Sequence, residues 1–192
     1  MIENMVKSIC NPFTYPAIVL AVSIYALTAT YSDIKSLRIR DDVNFAMIIF
    51  GIGFNSFFNT GTGGALSAIA GFLILLIPAV IVGAQMGGDI KFFTGLGAWL
   101  GIDALIPILL IAVIVFVTYA ALTGAKKREA MPFAPFLSAG IAVTMMICGF
   151  ILRDNLLKTT SATLLLAVII IAVSLLSDKQ RYVRRGLLIH EK

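Results

Sequence analysis

Ten side chains in this 192-residue sequence carry a carboxylate, while the only imidazole is His190, in the tail. The two cysteines, Cys10 and Cys148, lie far apart and belong to no paired motif. A metal centre needs clustered His or Cys ligands. No metal or cofactor is therefore expected, nor is a histidine-based triad. Hydrolytic chemistry would fall to carboxylates, or to Ser, Thr or Lys. Two aspartates are enough for it, because close carboxylates do not both ionise readily and one keeps its proton. The ionised member can take a proton from water while the protonated one polarises a carbonyl.

The elements that must hold such a pair are written in the composition. Hydrophobic residues make up 59% of the chain and charged residues only 13%, against about 25% in an ordinary soluble domain. Too little polar surface is available to cover a core, so lipid must solvate much of the chain. The expected fold class is an all-α, polytopic membrane helix bundle, one membrane domain over residues 1–192. Helices are the form that satisfies the backbone in lipid. Seven apolar runs read as transmembrane helices, at about 14–31, 43–58, 65–84, 90–101, 103–123, 132–152 and 161–177. The first is long for a signal-peptide core and lacks a small-residue cleavage site, so it reads as a permanent helix. The fourth rises only about 18 Å and needs neighbours to shield its ends.

The fourth crossing is kept because of the charges. With seven spans, Lys35, Arg38, Arg40, Lys91, Lys126, Lys127, Arg128, Lys179, Arg181, Arg184, Arg185 and Lys192 share one side, while Lys7, Arg153 and Lys158 lie on the other. The basic side is expected to be cytoplasmic. The N-terminus is then outside and the C-terminus inside. The formal net charge of +5 is thus read as membrane topology. No basic stripe is interleaved with aromatic residues, so no nucleic-acid partner is expected.

On this topology Glu3, Asp103 and Asp154 fall outside. Glu129, Asp178 and Glu191 sit in basic inner segments where solvation or ion pairing accounts for them. Asp33, Asp41, Asp42 and Asp89 remain, all on the cytoplasmic side. Asp33 directly follows the first span and Asp89 directly precedes the fourth. An acid at the hydrocarbon boundary is costly and points to function. A helix N-terminus favours Asp89 through its dipole, but Asp33 stands at a C-terminal end, where the dipole opposes it.

Three stretches resemble the type IV prepilin peptidases and the related archaeal preflagellin peptidases. Asp33-Ile34-Lys35-Ser36-Leu37-Arg38-Ile39 looks like the family's D-[IL]-[KR]-x-x-x-I segment. Met86-Gly87-Gly88-Asp89-Ile90-Lys91, followed by Gly95 to Gly101, resembles G-x-G-D-x-K and its helix. Pro132-Phe133-Ala134-Pro135-Phe136-Leu137 is similar to P-F-x-P-x-L. The resemblance implies that Asp33 and Asp89 are the catalytic aspartates, with Gly87, Gly88, Lys91 and Lys35 as supporting motif residues. Gly87 and Gly88 are expected to let backbones approach and turn, and Lys91 to pair with a carboxylate or orient its loop. The implied substrate is a prepilin or pilin-like precursor, cut at the cytoplasmic face just before its hydrophobic helix. The implied setting is a bacterial or archaeal cytoplasmic membrane.

The chain departs from the pattern at Met86, where the motif has Gly, and at Arg40-Asp41, where many relatives have Pro-Asn. Residues 14–152 form the expected six-helix, peptidase-like core. Residues 153–192, an extra helix and a basic cytoplasmic tail, are additional to it. No cysteine-bearing, methylating insertion is present, so a short peptidase-only form is expected.

Gly83 with Gly87 and Gly97 with Gly101 are spaced for close helix contact. A homodimer could use them, but packing within the chain is the expected reading. Three other functions stay open: an aspartyl protease that cuts inside a membrane helix, a transporter relaying protons through Asp33 and Asp89, and a non-catalytic scaffold for pilus or secretion assembly. Asp41 and Asp42 stand as rivals to Asp33.

Overall fold

The computed structural model describes residues 15–58, 63–83, 87–123, 132–151 and 158–170. Met86, the basic segment 126–128 and the stretch 171–192, including the end of the seventh expected span, lie outside the described residues. The described helices are α1 (Tyr15–Ser36), α2 (Asp41–Phe58), α3 (Gly63–Val82), α4 (Gly87–Leu100), α5 (Ile102–Thr123), α6 (Ala134–Ile151) and α7 (Lys158–Ile170). The helical bundle follows the composition. Three stretches, Pro16–Ser36, Gly63–Ile81 and Ile102–Leu122, are long and apolar enough to cross a membrane, and Ala134–Phe150 and Lys158–Ile170 are shorter apolar helices.

Several edges differ from the sequence expectation. α1 runs past residue 31 to Ser36, so Asp33 lies inside its last turns rather than beyond it. The helix stops where Leu37 takes a left-handed backbone (φ 53°), a conformation uncommon outside glycine. The hydroxyls of Ser32 and Ser36 donate to the Arg38 carbonyl, which satisfies the turn. α4 begins at Gly87 rather than at residue 90, which puts Asp89 in its first turn, where the helix dipole favours a carboxylate. α6 begins at Ala134, leaving Pro132 and Phe133 as the approach to the helix. Proline disfavours helical geometry in the residue before it and has no N–H to give.

The short α4 is the centre of the bundle. Ile90 and every residue from Phe92 to Leu100 are buried. α3, α2, α5 and α1 all pack against it. A helix of 14 residues spans only about 21 Å, and it survives in an apolar setting because protein surrounds it. Glycines make the fit. On α3, a Cβ at Gly71 would lie 2.9 Å from the Phe93 carbonyl oxygen, and on α4 a Cβ at Gly97 would press into the Ser67 carbonyl. Gly97 therefore packs within the chain. Gly83 and Gly101 instead end helices, with left-handed φ of 68° and 80°.

The outward faces of α2, α3 and α5 carry exposed Ile49, Phe50, Phe57, Val80, Ile81, Ile114 and Leu122. Such a belt needs lipid as its solvent. Taken with the long apolar helices, it makes this a multi-pass membrane protein.

Candidate active site

The buried side chains of α1 recur at Ile18, Val22, Tyr25, Ala29 and Asp33, each three or four residues after the last. That is the spacing of one helix face. Asp33 is the final member of an otherwise apolar stripe, so the helical period itself turns its carboxylate into the bundle, where it is only 6% exposed. Its partner comes from far along the chain. The backbone N–H of Ala134, the first residue of α6, donates to Asp33 Oδ2 at 2.9 Å. Asp33 thus caps a helix N-terminus, where free N–H groups and the dipole welcome a negative oxygen. The dipole of α1 opposes Asp33, and that of α6 offsets it.

A buried polar ladder fixes this contact. One turn before Asp33, Thr30 Oγ1 lies 2.8 Å from Ser138 Oγ, one turn into α6. Ser138 Oγ also donates to the Ala26 carbonyl at 3.1 Å. Both hydroxyl residues are fully buried. Unpaired, they would be expensive in this setting, so the ladder holds α1 and α6 in one register.

Asp89 arrives from α4. Gly88 sits against Ile39, with the site of its missing Cβ 3.4 Å from the Ile39 N. Ile39 is buried and belongs to the same segment as Asp33. The two motif stretches therefore touch through Ile39 and Gly88. Neither Gly87 nor Gly88 has a left-handed φ, and nothing lies within 4 Å of a Cβ at Gly87. Both are ordinary first-turn helix residues, and the free turning expected of them is not used in this conformation.

Asp33 and Asp89 are close enough to interact electrically. The pKa of Asp89 is raised to about 7, first by burial and then by the charge of Asp33. The other two acids near this end of the bundle are engaged elsewhere. Asp41 Oδ1 binds Lys91 Nζ at 2.7 Å, tying the start of α2 to the first turn of α4. Lys91 also lies 5.7 Å from the centre of the Phe45 ring. Asp42 pairs with Arg40 through two hydrogen bonds, which hold its carboxyl below the usual range. Lys35 turns away along the outside of α1, over the Tyr31 ring at 5.5 Å.

A second polar contact sits deeper. Tyr25 OH donates to Asn44 Oδ1 at 2.7 Å, and its ring meets Phe92 edge-on at 4.7 Å. Gly95 leaves room for it, since a Cβ there would stand 2.7 Å from the Tyr25 oxygen. These contacts join α1, α2 and α4 below the acids.

Sequence reasoning picked out Asp33, Asp89 and Lys91 but not Ala134, Thr30, Ser138 or Ile39 as structural partners. The signal for the inward aim of Asp33 was present in the 18–22–25–29–33 period. The contacts to α6 join residues more than 100 positions apart, and no local pattern announces them.

The end of the bundle at which Asp33, Asp89, Lys91 and the start of α6 gather corresponds to a known family. The profile of the type IV leader peptidase family matches residues 9–121, more than half of the chain and inclusive of both aspartates. Similar proteins include the prepilin leader peptidase/N-methyltransferase of Bacillus subtilis, 43% identical over 82 residues, which are 40% of this chain and 33% of that protein. The protein of the same name from Pectobacterium carotovorum is 29% identical over 138 residues, 66% of this chain and 50% of its own length. That of Burkholderia pseudomallei strain 1026b is 38% identical over 90 residues, 42% of this chain and 29% of its own. The chain spans half or less of the length of these relatives. No solved structure gives a significant match. With the profile covering more than half of the chain, including both aspartates and the two motif segments that meet at Ile39 and Gly88, the chain belongs to the type IV leader peptidase family.

Proposed function

We propose that this protein is a membrane aspartic endopeptidase that removes the short leader of prepilin-like precursors at the cytoplasmic face. The observation that carries the reading is that the segments bearing Asp33 and Asp89 meet at one end of the bundle, through Ile39 and Gly88, where burial and then the charge of Asp33 raise the pKa of Asp89. Asp33 serves as the base: its Oδ2 already accepts the Ala134 N–H, which suits an ionised carboxylate. Asp89 serves as the acid, since its pKa, raised to about 7, keeps the proton on it below neutral pH. Asp33 takes a proton from a water molecule as the oxygen attacks the scissile carbonyl, and the Asp89 carboxyl hydrogen-bonds the developing oxyanion. Collapse breaks the C–N bond, and the departing nitrogen leaves with a proton from the pair. The distribution of basic residues along the sequence supports a cytoplasmic position for this end of the bundle, with the N-terminus outside and the C-terminus inside.

Co-expression with a panel of prepilin-like precursors tests the reading through a gel shift on leader removal. Wild type is expected to cleave at least one precursor, and Asp33→Ala and Asp89→Ala are expected to cleave none while remaining in the membrane. Cleavage that survives either substitution would remove the dyad.

Lys91 is expected to contribute modestly. Its pair with Asp41 is partly exposed, and such pairs are worth about 0–1 kcal/mol. Lys91→Met and Asp41→Asn should each slow cleavage by no more than about fivefold. The double variant should be no slower than either alone, as measured by initial rates in membranes.

A further inference from the structure

α6 begins without a capping side chain of its own. The Phe133 carbonyl accepts the N–H groups of Phe136 at 3.0 Å and Leu137 at 3.2 Å, which makes Phe133 the residue that opens the helix. Serine, threonine, aspartate or asparagine usually stands there, because a side-chain oxygen can then take a free N–H of the first turn. Phenylalanine has no such oxygen, and Pro135 has no N–H to satisfy. The Ala134 N–H is left over, and Asp33 Oδ2 takes it from another helix. The Phe133 backbone reaches the same carboxyl. Asp33 is therefore held by two consecutive backbone groups whose placement depends on Phe133, a residue that precedes the helix proper.

The Thr30–Ser138 contact joins α1 to the second turn of α6 and leaves the approach at Phe133 to be fixed by something else. The Phe133 ring does this. It meets the Phe116 ring of α5 edge-on, with centres 5.5 Å apart and planes at 81°. Phe116 meets Phe136 in the same way, at 5.2 Å and 83°, so it sits in the fork of the two rings that flank Ala134 and Pro135. Edge-to-face pairs at such distances are favourable and directional. The residues beside Phe116 on α5, Ile114, Val115 and Val117, are exposed, whereas Phe116 turns to α6 and is half-buried. The crossing of α5 and α6 has a separate anchor. A Cβ at Gly140 of α6 would press into the Ile108 carbonyl of α5, about two turns from the aromatic fork.

We propose that Phe116 is a positioning residue for Asp33: through the Phe133 ring it sets where the first N–H groups of α6 stand, and so how the carboxylate that takes the water proton is aimed. The inference rests on the peptidase reading for its effect on rate, while its effect on Asp33 is read without turnover.

Kinetics on reconstituted protein and the infrared spectrum test it together. Phe116→Leu keeps an apolar side chain but loses both edge contacts. It is expected to lower kcat about tenfold with KM within about twofold, since a small displacement of a reacting group costs rate. Phe133→Leu, which removes the other ring of the pair, should match it, and the double variant should be no slower than either. Phe116→Tyr restores the ring and should return kcat to within about twofold of wild type. Tyr119→Leu removes the ring that packs on Phe136 at 5.4 Å and leaves the Phe116–Phe133 pair in place; it should change neither constant. The carboxylate stretch of Asp33, identified by its loss in Asp33→Asn, is expected to shift in Phe116→Leu and Phe133→Leu and to hold its position in Phe116→Tyr and Tyr119→Leu. A fall in kcat with an unmoved band would make Phe116 a packing residue only and overturn the proposal. Additive losses in the double variant, a rise in KM alone, or an unchanged kcat beside a wild type that cleaves would overturn it too. A wild type that cleaves no precursor removes the peptidase reading by itself. The band then decides alone: a shift supports the positioning of Asp33 by Phe116, and an unmoved band overturns it.

Discussion

Asp89→Asn and Asp33→Asn are each expected to slow leader cleavage by at least about a hundredfold, since acid–base roles of this kind contribute about 10²–10⁴ each. Asparagine keeps the size of the side chain. At position 33 its amide oxygen can still accept the Ala134 N–H that now reaches Asp33 Oδ2, so α1 and α6 stay together. What is lost is the charge that draws a proton from water. At position 89 the loss is of the acidic proton rather than of a structural contact. Cleavage rates in isolated membranes, normalised to protein by immunoblot, check both. A variant retaining a tenth of wild-type rate would end the dyad. Asp41 and Asp42 would then be the remaining acids on this face, although Lys91 and Arg40 already engage them.

The same pair fixes the direction of the pH dependence. Asp89 is raised to about 7, first by burial and second by the Asp33 charge. Below that value it holds its proton and can act as the acid; above it, both carboxylates are ionised and the acid is gone. The rate kcat/KM is therefore expected to fall as pH rises through about 7, with apparent values that belong to the pair. In Asp33→Asn the charge contribution disappears while burial remains. The Asp89 carboxyl, followed by its infrared band, should then titrate at lower pH than in wild type. An unmoved titration would mean that the two groups do not sense each other.

Asp33 and Asp89 stand out in the sequence because a carboxylate next to an apolar run is costly and demands a reason. Their surroundings stand out less. The opposed dipole at Asp33 looked like an unexplained penalty from the sequence, because the compensating N-terminus of α6 starts about 100 residues later. Lys91 was legible as a cation awaiting a carboxylate, but its choice of Asp41 depends on how α2 is laid beside α4. The short fourth helix looked marginal by length alone. It is stable at that length because four helices enclose it, a property of packing that hydropathy along one segment does not contain. Helix edges shifted for local reasons: the serine hydroxyls at Ser32 and Ser36 settle the turn beyond α1, and Asp89 favours a start to α4 that includes it.

Gly97 carries the largest expected effect on the fold. It was legible as a close-contact glycine, but its partner was not. That partner is the backbone of α3 at Ser67, whose carbonyl carbon would stand 2.9 Å from an added Cβ. A side chain can swing aside, whereas a helix backbone has to move as a unit. The crossing has little freedom to do so. Gly71 makes the reciprocal close approach to Phe93 on α4, and the Ser67 hydroxyl accepts the Ile102 N–H at 3.1 Å, at the start of α5. Pushing α3 away at Gly97 therefore loosens both contacts and strains the Gly101 turn between α4 and α5. Gly97→Ala is expected to cost about 1–3 kcal/mol, the usual range for overpacking, and Gly97→Leu more than about 3 kcal/mol. Gly53→Ala, which meets nothing within 4 Å, should lie within about 0.5 kcal/mol of wild type. Unfolding of the purified protein in mixed detergent ranks the three. Equal stability of Gly97→Leu and Gly53→Ala would mean that α3 and α4 do not cross at Ser67. The acids would feel the same displacement, because α4 brings Asp89 to Asp33 and α3 is the helix that packs most of its length.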